Sequence, residues 1–495
     1  MNVIDKKWEE LEKKVLSEMT ETLGDEKTAK SYTDDMMAAM REFYTIYDAE
    51  GLTRWFAGLY EPNIVFDFNA TEEQKKRYSG GAGFYYSNSA RDNYKCERWE
   101  NEYQFLPDAE TTAQAFGFIS NSGMLDDVNG NMREAFPEGE PEKIIRFIKA
   151  LQDEKSGNFY HPQWLSLLGT PHYWDSRRSR DMTYSLATLS YLGASPTYDT
   201  PSGKKGDGIL YDGTAVEAEK SEREDKAEAP AKKLETHPRL VSRETFAEYL
   251  KTLNLANNSY FVGNELASLA SELKQRDREI GTDDDPRPLA TMLDKWLREN
   301  QFPETGCWHD HEKYPTDNVY YATNGVLKLV AMYNTLGMPF PNPLPAAKSA
   351  FAVITDPKPI GHVCDLYNTW FVVDFICYNM KKFGGDEALA NKIISDVRLA
   401  AIPAVYATAE KMRAGFRKPD GSFSYFPTCS SAGSQNAPVA MPKTDEGDVN
   451  ATVIFTYGIL NFMFSALNFG EPVPMCTAEH RELFKSLVAE KAAKK

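Results

Sequence analysis

Apolar residues recur along this chain at helical spacing from one end to the other, and no stretch shows the sustained alternation of a half-buried strand. Two helical patterns are present. In 319–333, 366–380 and 449–467 almost every face is apolar, the last carrying Val453, Ile454, Tyr457, Leu460 and Phe464. A helix apolar all round must be enclosed by other protein. The second pattern is amphipathic. In 141–154, Ile144, Ile145, Ile148 and Leu151 share one face, while Glu142, Lys143, Arg146 and Lys149 point away. Segments 242–253, 286–300 and 388–412 repeat that style.

The two kinds alternate. Inner helices are expected near 109–121, 180–192, 259–273, 317–335, 365–382 and 448–468, with amphipathic helices between them and N-terminal helices near 5–20 and 28–48. Gly193, Gly337, Gly384 and Gly470 follow inner helices, where a left-handed C-cap suits glycine. Six enclosed helices alternating with exposed ones predict an all-α chain folded as an (α/α)6 toroid over 101–480. Residues 1–100 then form an N-terminal helical extension with a glycine and aromatic loop, packed on the toroid. Within 196–241, the charged low-complexity run 220–230 predicts a flexible, solvated insertion.

A shorter repeat accompanies the alternation. Where three outer helices end, the chain reads Ser156-Gly157-Asn158-Phe159, Thr305-Gly306-Cys307-Trp308 and Asp420-Gly421-Ser422-Phe423. Gln152 and Gln301 precede the first two. These turns resemble the Gln/Trp-type repeats of terpenoid cyclase and protein prenyltransferase toroids, and similar turns occur in carbohydrate-processing (α/α)6 enzymes. The resemblance implies architecture and leaves activity open.

Charge narrows the function classes. Across 495 residues, 56 Lys and Arg stand against 73 Asp and Glu, a net charge of −17. That balance argues against a nucleic-acid partner, since phosphate affinity rests on clustered basic residues. A charged N-terminus without the apolar stretch of a signal peptide, and no apolar run near 18 residues, predict a cytoplasmic chain with no membrane span. Six cysteines without a Cys-x-x-Cys pair argue against a disulfide scaffold or zinc ribbon.

In such a ring the starts of the inner helices converge on one mouth, and five polar clusters fall there. The loop 80–93 offers Tyr86 and Arg91, and its glycines match no nucleotide motif. His161 and Trp164 precede Arg177, Arg178, Arg180 and Asp181; the arginines either pair with nearby acids or grip an anionic substrate. Trp308, His309 and His311 precede a polar stripe of Asp317, Asn318, Tyr321 and Asn324; His-x-His without a third ligand is a weak metal signal. Asp365 and Asn368 either cap their helix or face substrate, and Tyr367 and Trp370 either stack on a sugar or fill core. Asp445, Glu446 and Asp448 crowd the last inner-helix start beside Asn450. There they act as caps, or one is held protonated as an acid.

Asp283, Asp284 and Asp285 follow an inner helix, on the face opposite the mouth, so the Asp-rich chemistry of prenyl enzymes is not expected from them. The lining suits a polar, ring-shaped ligand. The leading expectation is a carbohydrate-active enzyme cleaving glycosidic bonds of an oligosaccharide, uronate-containing ones included, without cofactor or metal. Glu446 or Asp448 would face Asp317 or Asp181 as the hydrolytic pair. The alternative chemistry is β-elimination of a uronate, with Tyr320 or His309 as base or acid and Asn318 and Arg180 neutralising the carboxylate. The substrate contacts expected are Tyr86, Arg91, His161, Trp164, Arg177, Arg180, Trp308, Asn318, Asn324, Asn368, Trp370 and Asn450. A terpenoid or prenyl enzyme and a non-catalytic binding protein are the other readings.

Overall fold

Capping acids and hydroxyls set where many helices begin. The side chains of Asp25, Asp48, Asp108, Ser242 and Asp448 each accept a hydrogen bond from a backbone N–H in the first turn of the helix that follows. A computed structural model describes residues 3–98, 101–168, 177–216, 237–314, 320–358, 360–385, 387–435 and 437–494. Helix makes up 62% of it.

The enclosed set is Ala109–Asn121, Arg178–Tyr191, Leu255–Ile280, Tyr320–Leu336, Val363–Phe383 and the run Val449–Val453, Ile454–Gly458 and Ile459–Leu467, of which Arg178–Tyr191 and Leu255–Ile280 are buried along one face only. Their packing follows a fixed order. Arg178–Tyr191 lies on Ala109–Asn121, which meets Val449–Val453; Ile459–Leu467 lies on Val363–Phe383, then Tyr320–Leu336, then Leu255–Ile280. Amphipathic helices cover this set: Glu140–Ala150 on Arg178–Tyr191, Pro288–Asn300 on Leu255–Ile280, and Pro343–Thr355 on Val363–Phe383. The last of these had no individual signal in the pattern, because its buried face is largely the small residues Ala346, Ala347 and Ala350.

The amphipathic stretch expected at 388–412 is two helices, Glu387–Leu399 and Ala401–Lys411. Pro403 explains the break, having no N–H to donate and a ring that clashes with the carbonyl four residues back. The N-terminal helices Val3–Leu23, Glu26–Tyr44 and Ala49–Leu59 share one hydrophobic core with the rest, running from Trp8 to Val488. Glu26–Tyr44 packs on Ala401–Lys411, and Ala49–Leu59 on the C-terminal helix Ala478–Ala493. The Tyr47 hydroxyl donates to the Phe455 carbonyl at 2.7 Å. Three antiparallel two-stranded pairs, 60–61 with 83–84, 95–98 with 101–104 and 433–434 with 437–438, pin loops at the helix starts.

The turn repeat has a mechanical basis. Gln152 donates to the carbonyls of Gly157 and Tyr198 at 3.1 and 2.8 Å, and Gln301 to those of Gly306 and Pro341 at 2.9 and 3.1 Å. Each glutamine thus ties its own turn to the segment leaving the next enclosed helix. Gly157 and Gly306 adopt φ of +67°, and a Cβ on either would collide with the neighbouring backbone. In the third repeat Phe416 stands at the glutamine position, and Gly421 packs on Gly51 and Leu52 of the N-terminal region.

Three expectations need amendment. Gly384 stays right-handed and Gly385 takes the positive φ. Asn468, before Gly470, caps Ile459–Leu467 in the left-handed conformation. In the expected insertion, residues 196–216 fold back on Glu140–Ala150, with Lys149 bonded to Asp207 at 2.7 Å and to the Ile209 carbonyl at 3.0 Å; the run 220–230 lies outside the described residues. Val449–Leu467 is long and apolar enough to cross a bilayer, a test that a core helix also passes, and most of it is buried in the protein.

Candidate functional site

Two capping acids mark the rim. Asp108 opens Ala109–Asn121 and Asp448 opens Val449–Val453. The loop carrying Tyr86 crosses the second start, Val449 N–H donating to the Tyr86 carbonyl at 3.0 Å. Asp448 is fully buried and accepts from the backbone amides of Ala451 and Tyr425, both at 2.8 Å, with the Tyr86 hydroxyl against it. Burial pushes its carboxyl up to about 7, while those amides and the Tyr86 hydroxyl pull the other way. Asp108 rises to about 6 by burial, with Arg177 lowering and Glu110 raising it.

Beside the rim lies a buried ion network. Arg177, 1% exposed, reaches Glu110 at 2.8 Å and Asp181 at 2.5 Å. Its guanidinium stacks 4.8 Å over the Trp164 ring, whose Nε1 donates to Asp181 at 3.2 Å. Arg180, 29% exposed, forks onto both oxygens of Glu110. Burial works against the Glu110 charge, but the two arginines outweigh it and hold its carboxyl below the ordinary range. Two arginines meet two carboxylates, so this network carries no spare positive charge.

Further in, the enclosed helices present a polar and aromatic face. The Gln114 amide donates to Asn450 at 3.1 Å, and the Asn368 amide to Asn324. Tyr184, Tyr367 and Tyr457, from three different helices, lie close enough to influence one another's ionisation. Burial raises all three hydroxyls, so they remain protonated donors. Tyr457 reaches this position through the π-turn Ile454–Gly458, which shifts the helix register; such turns recur at functional sites. Gly117 makes room for its hydroxyl, and a Cβ there would collide with it.

The expected residues divide. Arg180, Asn324, Asn368 and Asn450 lie on the shared interior face. Tyr86, Trp164, Arg177, Asp181 and Asp448 surround it, but each is committed to a neighbour. Glu446 turns away to Ser89, accepting from its N–H at 2.7 Å and its hydroxyl at 2.5 Å, and from Ser430 at 3.1 Å. Arg91 pairs with Asp92 at 2.7 Å and with the Gly58 carbonyl, far from the ring face. His161 bonds the Pro107 carbonyl at 2.8 Å and stacks on Trp164; burial drops its pKa to about 3, so it is neutral packing.

Trp308 and Trp370 face outward. Trp308 donates to the Leu297 carbonyl at 2.8 Å, and Trp370 to Thr408 at 3.0 Å. His309 is buried beside Tyr321, with Nε2 on the Tyr314 carbonyl at 3.0 Å. Its Nδ1 is enclosed and has no hydrogen-bond partner among the described residues, so the expected role of His309 as base or acid would need this atom uncovered. Asp317, Asn318 and the Tyr320 side chain lie outside the described residues. Among the described residues, no group of three or more His, Cys, Asp and Glu is arranged to hold a metal.

Glu110, Gln114, Tyr184, Lys328 and Tyr457 belong to the interior face and were not singled out in the sequence. Their signal was present as polar residues at i, i+4 spacing in otherwise apolar helices; Lys328 is one turn beyond Asn324 and Gln114 one turn beyond Glu110. A cavity of about 790 Å³ is elsewhere, between Val3–Leu23, Glu387–Leu399 and the far ends of Val363–Phe383 and Ile459–Leu467, and holds none of the expected site residues. No family model, curated protein or solved structure matches the chain.

Proposed function

We propose that the enclosed helices are the inner ring of an (α/α)6 toroid, and that the chain is a carbohydrate-active enzyme cleaving glycosidic bonds of an oligosaccharide inside that ring. The ring reading draws on the packing order of the helices. The function rests on one observation: Tyr184, Tyr367 and Tyr457 gather beside the amide pair Gln114–Asn450, and the pair Asn324–Asn368 joins the helix of Tyr367 to the next. A sugar presents hydroxyls that amides bind and C–H faces that aromatic rings cover.

Between the two chemistries, β-elimination of a uronate is favoured. Hydrolysis needs two available carboxylates, yet Glu446, Asp448 and Asp181 are each engaged by amides, hydroxyls or Arg177. In elimination, a base of the interior takes the proton α to the uronate carboxylate and the amides of Asn324 and Asn368 hold that carboxylate. The C4–O bond breaks, its electrons leave with the glycosidic oxygen, and that oxygen takes a proton from a buried tyrosine. The double bond forms between C4 and C5.

The test is mass spectrometry of products from uronate-containing and neutral oligosaccharides. Fragments summing to the substrate, with a new ultraviolet-absorbing end, support elimination. Fragments summing to substrate plus one water show hydrolysis instead. No cleavage of any sugar in the panel overturns the carbohydrate reading.

A further inference from the structure

Buried cations in this protein meet carboxylates: Arg177 meets Glu110 and Asp181, Arg398 meets Glu18, Lys149 meets Asp207, and Lys418 meets Asp445. Lys328 does not. It is half-buried on Tyr320–Leu336, one turn below Asn324 and on the same side. Its ammonium lies 5.7 Å over the Tyr260 ring of Leu255–Ile280. The Cys364 thiol on Val363–Phe383 is near enough to affect it, and among the described residues no carboxylate does. Gly263 lets Leu255–Ile280 approach the Lys328 Cβ closely, so the base of the side chain is packed on that helix while the ammonium lies by Tyr260 and Cys364.

A half-buried ammonium with a ring face and, among the described residues, no carboxylate beside it is under-compensated, because desolvating the charge costs more than such a contact returns. Burial accordingly lowers its pKa. The adjacent arginines cannot supply selectivity for an anion, because Glu110 and Asp181 neutralise them. We propose that Lys328 is the anion-recognising residue of the interior site, its ammonium binding a carboxylate on the oligosaccharide and making the protein selective for acidic sugars. This rests on the carbohydrate reading above and adds to it the residue that reads the charge of the ligand.

Calorimetric titration of the full chain with a trigalacturonate and with its neutral galactose counterpart tests the proposal. Wild type should bind the acidic sugar at least about tenfold more tightly, since a hydrogen bond to a charged group is worth about 1.5–3 kcal/mol. K328Q should abolish the difference, and K328R should keep most of it. Removing a charge without a counter-ion should not lower the melting temperature; K328M serves as the second variant if K328Q disturbs packing. A preference for acid that persists in K328Q or K328M, or a wild type that binds both sugars equally, overturns the role of Lys328 and leaves the carbohydrate reading standing. Failure of wild type to bind either sugar overturns both.

Discussion

Asp448 is both a helix cap and a carboxyl with a pKa raised to about 7. An unfolded Asp titrates near 4, so the folded state holds this proton more tightly. The stability from the protonated form is complete below about pH 4 and lost as pH climbs through about 7. Wild type should therefore lose melting temperature relative to Asp448→Asn between about pH 5 and about pH 8; a constant difference across that range would show Asp448 to be ionised throughout. Arg177 and Arg180 separate in the same way by burial. Arg177→Ala strands Asp181 and leaves Glu110 to Arg180 alone, and should destabilise by about 3–5 kcal/mol in chemical denaturation. Arg180→Ala leaves Arg177 on Glu110 and should cost far less; equal losses would refute the asymmetry. At this scale the sequence does not fix which way a side chain turns. Trp370 fits a sugar platform on paper, but a helix buried on all sides gives an aromatic two apolar neighbourhoods to choose from, and its indole bonds Thr408 instead; Trp308, in a loop, folds back on Leu297.

Among elements, the glutamine clasps are the most legible link between sequence and structure. Gln152→Ala and Gln301→Ala each remove two side-chain bonds to buried carbonyls, and Gln301→Ala also releases the Asn342 amide, which donates to it at 2.8 Å. Each should cost about 1–3 kcal/mol in urea unfolding, and the double variant should lose about the sum, the two sites being in different repeats. A double variant much less damaged than the sum would mean that the clasps act as one unit. The enclosed helices were readable because an apolar pattern on every face has few alternative explanations. The π-turn at Ile454–Gly458 was not, since nothing in the residue pattern of 449–467 distinguishes one inserted residue from a regular helix. The interior position of Tyr457 depends on that insertion, so that part of the site was not accessible from helical periodicity alone.

For the molecule as a whole, the N-terminal helices behave as an integral layer. Trp8, Met36, Phe43 and Trp55 belong to the same core as Phe455 and Phe484. Deleting residues 1–44 should therefore give a chain that aggregates or loses cooperative melting; a soluble, cooperatively melting truncation would show the extension to be an independent addition. The alternation of helix types was visible in sequence, whereas the dependence of the last-formed elements on the first was not, because pairings this distant leave no periodic trace. That dependence bears on synthesis. Helix Ala49–Leu59 lies on Ala478–Ala493, Tyr47 bonds the Phe455 carbonyl, and Gly421 nests against Gly51 and Leu52 in the repeat that has no glutamine. A ribosome releases the first of these segments several hundred residues before its partners exist. The nascent chain must keep the apolar sides of its opening helices from wrong contacts until Ala478–Ala493 emerges, so such a chain should lean on holding chaperones during translation.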